Sequence, residues 1–170
     1  MPPRYRLRRA VTADIPVLVR HRIEMFRSMV DLPGRKAAVI AAAFRRLLRR
    51  DLPRGGYLAW VAEREGEVVA GAGVVLRPVL PRPWAPRGGV EAHVLNVFTE
   101  PEHRRRGLAR RLTREVLAWA RREKVAVVTL HASDMGRPVY ESLGFTQTRE
   151  MQVLLSKGPR RARRLRGRRG

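Results

Sequence analysis

The stretch from residue 90 to residue 130 constrains this chain most. Residues 90–99 read as one long valine-rich strand, and Glu100-Pro101 ends it. Residues 105–123 follow as a strongly amphipathic helix, with Leu108, Leu112, Val116, Leu117 and Ala120 on one buried stripe. Residues 125–130 are a near-continuous apolar, β-branched run, the pattern of a strand covered on both faces. Strand, helix, strand is a crossover, and a crossover lays its two strands parallel in one sheet.

Around that unit the sequence predicts antiparallel neighbours. Residues 4–9 alternate enough for a short edge strand. Thr12 or Asp14 can cap a helix with Pro16 in its first turn, and Ile15, Leu18, Val19, Ile23 and Phe26 recur at helical spacing behind it. Leu32-Pro33-Gly34 breaks that helix, and a second runs over about 35–50 with Val39, Ile40, Ala43, Phe44 and Leu47 as its apolar side. Residues 57–64 and 68–76 read as two strands around the turn at Glu65-Gly66, and the Pro-rich stretch 78–86 as a loop. A short helix over 136–143 and a closing strand over 146–155 complete the chain. The order is β-αα-βββ-α-β-α-β: an α/β fold with a mixed, mostly antiparallel sheet and helices on both faces.

Length and composition narrow the function. One domain over 1–156 is expected, with 157–170 as a solvated basic tail. The chain has no cysteine, which excludes disulfides, zinc–thiolate sites, iron–sulfur clusters and a cysteine nucleophile. Its longest apolar run is eight residues, 37–44, where a membrane-spanning helix needs roughly 18. The start of the chain offers no apolar signal region, so a cytoplasmic home is expected. No spacing of His, Asp and Glu suggests a metal site. Thirty-seven basic residues against fifteen acidic ones give a net charge of +22. Such a field favours anionic partners: nucleotides, coenzyme phosphates, nucleic acid or acidic proteins. The tail alone would give salt-dependent, non-specific nucleic-acid contacts, without aromatic residues to stack on bases.

The turn between residue 99 and the long helix is where a phosphate would sit. A helix start presents unpaired N–H groups and about half a positive charge. Gly107 lets a ligand approach the backbone, Ala109 leaves room, and Arg104, Arg105 and Arg106 add charge on the spot. Arg-x-x-Gly-x-Ala is weak by itself; the strand before it and the long helix after it give it weight.

In that context the chain resembles the GNAT superfamily of N-acetyltransferases, which use acetyl-coenzyme A. The resemblance rests on Asn96-Val97-Phe98-Thr99-x-Pro101-x-x-Arg104-x-x-Gly107-Leu108-Ala109 and on Tyr140-x-x-x-Gly144-Phe145. The opening Leu7-Arg8-Arg9-Ala10-Val11-Thr12-x-Asp14-Ile15 is similar too, so the resemblance covers roughly residues 4–155. It implies a GNAT-like sheet whose strands splay beside the turn. It implies that Arg104, Arg105, Arg106, Gly107, Leu108, Ala109 and Arg110 surround the coenzyme pyrophosphate, chiefly through backbone N–H groups. Val97, Phe98 and Thr99 would pair with the pantetheine arm, and Ser133 or Asp134 would touch it, although either is equally an ordinary N-cap.

The resemblance also implies direct acetyl transfer to an amine, with an oxyanion held by a backbone N–H at a bulge near Phe98. Tyr140 stands where many members place the acid for the departing thiolate; packing against Leu143 and Phe145 is the other reading. A general base would come from Glu91 or His93, two residues apart on one strand face. The next strand offers Thr129 and His131 rather than a carboxylate. Each of these is also readable as a polar strand residue satisfied locally. His21 and His103 read as surface histidines. Met25, Phe26, Met29 and Trp84 are apolar candidates for an acceptor pocket. The resemblance leaves the acceptor open among a small amine, an amino acid and a protein N-terminus, and a homodimer is left open. The rivals are a basic nucleic-acid-binding protein and a coenzyme-binding member without turnover.

Overall fold

The computed structural model describes residues 4–83 and 85–155. Trp84 and the basic tail therefore lie outside the described residues. The chain runs β1 (Arg6–Arg9), α1 (Ile15–Met29), α2 (Gly34–Asp51), β2 (Tyr57–Arg64), β3 (Glu67–Val79), β4 (Gly89–Thr99), α3 (Leu108–Arg122), β5 (Val127–Leu130) and α4 (Arg137–Glu141). The five strands form one sheet in sequence order. Successive pairs are antiparallel except β4 with β5, which the α3 crossover makes parallel.

Both faces of this sheet are covered, which explains the unbroken apolar run of β2. Leu58, Trp60 and Ala62 point one way, into a core with Leu108, Leu112 and Val116 of α3. Tyr57, Ala59 and Val61 point the other way, against Ile15, Leu18 and Val19 of α1 and Phe44 and Leu48 of α2. Asp14 stands at the N-cap position of α1, but its side chain caps no N–H of that helix and turns back to the segment before it. Its carboxylate accepts from the Val11 N–H at 2.8 Å and from both Arg8 terminal nitrogens at 2.7 and 3.0 Å. Burial alone would raise its pKa, but Arg8 and the Val11 N–H outweigh it and hold the carboxyl below its ordinary value.

Four expectations need correction. No strand forms over 146–155; Met151, Val153, Leu154 and Leu155 stay exposed. Alternation makes a strand only when a neighbouring edge takes its backbone groups, and this segment meets none among the described residues. Phe44 is buried as expected, but it is joined on the buried side of α2 by Ala37 and Leu48, while Val39, Ala43 and Leu47 are exposed. β5 is half-buried rather than covered on both faces. The long helix begins at Leu108, so Arg105, Arg106 and Gly107 belong to the turn before it.

Candidate functional site

Three features meet at the end of β4. The first is a kink. Between β3 and β4 the register jumps from Gly73 opposite Leu95 to Gly71 opposite Phe98, so Asn96 and Val97 together face the single residue Ala72. Asn96 has φ +55°, a left-handed conformation that asparagine tolerates better than most residues. Its side-chain amide is held at both ends: the oxygen accepts from Arg22 of α1, and the nitrogen donates to the Tyr57 hydroxyl of β2 at 2.9 Å. Tyr57 is only 2% exposed, and burial pushes its pKa up to about 12 despite Asn96 and nearby Arg22. The Arg22 guanidinium lies over the rings of Phe26 and Phe44, at 4.7 and 4.8 Å. Phe26 thus packs under Arg22, while Met29 is exposed.

The second feature is an open edge. β4 and β5 pair only from Glu91 with Val127 to Val94 with Leu130. Beyond that, residues 95–99 of β4, Val97, Phe98 and Thr99 among them, have no ladder on the β5 side among the described residues. All four residues of β5 are paired, so the edge is open because β4 runs on past the end of β5 at Leu130, not because paired strands splay apart.

The third is the turn. After one 3-10 turn over Pro101–His103, Arg105 (φ +58°) and Gly107 (φ +72°) both take left-handed backbone. Such alternation curls successive N–H groups toward one side. A Cβ on Gly107 would meet nothing within 4 Å. No side chain caps α3, and its first backbone bond runs from the Arg111 N–H to the Gly107 carbonyl at 3.0 Å. The N–H groups just before Arg111 thus precede the helical ladder. Arg105, Arg106 and Arg110 are exposed around them, and Ala109 is half-buried. Leu108 is buried and anchors the helix to the sheet. Arg104 folds back, its Nε donating to the Thr99 carbonyl at 3.1 Å.

Next to the turn, Glu100 forms an ion pair with Arg20 at 2.8 Å and lies 3.1 Å from His21 Nε2. His21 is therefore no surface histidine: it is 2% exposed, its ring is 5.0 Å from Phe98, and burial lowers its pKa although Glu100 opposes this. His103 is half-buried against Tyr5, whose hydroxyl is 2.9 Å from its Nδ1. Both histidines depend on partners far away in sequence.

Further back along β4, Glu91 and His93 share a face, as their spacing requires. Thr129 of β5 joins them: its hydroxyl is 2.7 Å from Glu91 Oε1 and 2.9 Å from His93 Nδ1. His93 is 8% exposed, and the His131 ring stands edge-on to it at 5.1 Å. Burial, then Arg77 and His131, push the His93 pKa down, against Glu91 and Glu150. After β5, the Ser133 hydroxyl accepts from the Gly136 N–H at 3.2 Å and so braces the turn before α4, whose N-cap is Gly136. Asp134 is exposed in the same turn. Tyr140 is half-buried with its ring 5.9 Å from Phe145, and burial raises its pKa.

Arg22 and Tyr57 were not legible as site residues, and Thr129 was weighed only as a place where a carboxylate base was missing. The only sequence signal was an asparagine inside a valine-rich strand, opposite two closely spaced glycines.

The fold matches known proteins closely. A family model described as "Acetyltransferase (GNAT) domain" matches residues 34–154. A GCN5-related N-acetyltransferase from Ralstonia eutropha JMP134 superposes with a TM-score of 0.82 at 30% identity, covering 89% of this chain and 99% of that one. A protein from Clostridium acetobutylicum, described as a predicted acetyltransferase with acetyl-CoA, gives a TM-score of 0.78 at 25% identity over 89% of this chain and 96% of that one. Human N-acetyltransferase 8 is 32% identical over 100 residues, 57% of this chain; the match spans 42% of that relative's length. The chain belongs to the GNAT acetyltransferase family. That family uses acetyl-CoA, and its membership supports acyltransferase activity here. Among the described residues no helix is long and apolar enough to cross a membrane.

Proposed function

We propose that this protein transfers an acetyl group from acetyl-CoA to a primary amine held in the same complex. One observation carries the reading: an uncapped helix start with two left-handed residues adjoins a strand edge left open over residues 95–99. Linked phosphates fit the first and a peptide-like arm fits the second. Arg105, Arg106, Gly107, Leu108, Ala109 and Arg110 would hold the pyrophosphate, with Arg104 bracing the turn. Val97, Phe98 and Thr99 would line the arm. When bound, acetyl-CoA supplies the acetyl group as a reactive thioester.

The chain's own residues do the rest. The kink at Asn96 and Val97 frees backbone N–H groups to donate to a developing oxyanion. His93, kept neutral by burial, accepts the amine proton, with Glu91 behind it. Tyr140 stays protonated beyond the ordinary phenol range and donates to the departing sulfur. The net charge of +22 favours a neutral or anionic acceptor such as an amino acid, an acidic peptide or a protein N-terminus.

Calorimetric titration with acetyl-CoA tests the binding half. A Kd between about 1 μM and 1 mM is expected, and no heat across that range overturns the reading. A screen of amine acceptors for thiol release then separates turnover from binding alone. Tyr140→Phe is expected to lower kcat about 10²-fold. The native rate should fall as pH rises through the Tyr140 pKa, above the usual phenol value, and the variant should lack that limb. An unchanged alkaline profile removes Tyr140 from the mechanism.

A further inference from the structure

Thr129 holds two hydrogen bonds whose directions chemistry fixes. Its Oγ1 is 2.7 Å from Glu91 Oε1 and 2.9 Å from His93 Nδ1. A hydroxyl has one proton to give, and a carboxylate only accepts. The Thr129 proton therefore goes to Glu91. Oγ1 can meet His93 only as an acceptor, so His93 Nδ1 must carry the ring's hydrogen. The lone pair is left on Nε2, on the far side of the ring from Thr129. The parallel register, which sets His93 beside Thr129 and Glu91 beside Val127, is what brings the three together.

We infer that Thr129 is a positioning residue: it locks His93 in the Nδ1–H tautomer and links its ring to the Glu91 carboxylate. This rests on the reading of His93 as the base. Removing the amine proton then places it on Nε2, while Nδ1 keeps its own. The resulting imidazolium is stabilised along Nδ1–H to Oγ1–H to carboxylate, and no second proton moves.

The other groups facing His93 do not fix its tautomer. Arg77 of β3 lies 3.7 Å from Glu91 Oε1 and holds the carboxylate rather than the ring. His131, past the end of β5, meets His93 ring to ring, and Glu150 of the C-terminal segment lies 3.9 Å from His131 Nε2. Thr129 is the neighbour that bonds a ring nitrogen.

The tautomer is read directly by nitrogen-15 NMR of the resting full chain, at a pH where His93 is neutral, with no substrate. Native protein and Thr129→Ser should show a protonated Nδ1, and Thr129→Val a mixture. In turnover, Thr129→Val should lose about 10-fold or more in kcat with little change in acetyl-CoA KM, and its acid limb should move to lower pH. Thr129→Ser should restore most of both. A thermal melt of each variant separates these effects from unfolding. A native ring protonated on Nε2 overturns this inference alone. An Nδ1–H ring in a protein whose turnover ignores His93→Gln overturns the base reading, and Thr129's part in turnover with it.

Discussion

Replacing His93 with glutamine is expected to lower kcat about 10²- to 10³-fold, within the usual range for losing a general base. Glutamine keeps the size of the side chain and some of its hydrogen bonding but cannot take a proton. The pH profile makes the test specific. A base works in its neutral form, and burial together with Arg77 and His131 favours that form in His93. The native rate should therefore climb as pH rises through a value below the ordinary histidine pKa and level off near neutrality. The variant should lose that limb as well as the rate. A variant that kept native kcat and the acid limb would shift the role to Glu91 acting through water.

Gly73→Ala should cost more stability than any surface change. A Cβ at this position would sit 1.9 Å from the Tyr57 hydroxyl oxygen and 2.6 Å from its ring carbon. Tyr57 is buried under Phe44, with the rings 5.7 Å apart, and cannot swing away. Overfilling a packed core costs about 1–3 kcal/mol, and losing the Tyr57–Asn96 hydrogen bond adds about 1 kcal/mol. For a domain of this size that lowers Tm by roughly 5–15 °C. The double variant Gly73→Ala with Tyr57→Phe removes the nearest clashing atom and should recover part of the loss. A Gly73→Ala melt within about 2 °C of native would show that the kink does not depend on Tyr57 as described.

What could be read in advance followed local chemistry. The β4 to α3 junction was legible because a proline, a glycine and an amphipathic stripe act within a few residues of one another. β2 was legible because a strand covered on both faces is apolar throughout. The α2 face was misread because residues 37–44 are apolar nearly all the way round, so periodicity has little contrast to work with. His21 was misread because its partner Glu100 is 79 positions away. Thr129 owes its place to the same long-range pairing, which no spacing along one strand reveals. The segment 146–155 failed in the opposite sense: its pattern suits a strand, but a strand also needs a neighbour.

The amide of Asn96 ties α1, through Arg22, to β2, through Tyr57, at the bulge of β4. A small tilt of the first helix therefore reaches the backbone beside the open edge through Arg22 at the bulge, and through Arg20 and His21 at Glu100. Substitutions on α1 should then alter how the donor is held, at a distance, without touching it.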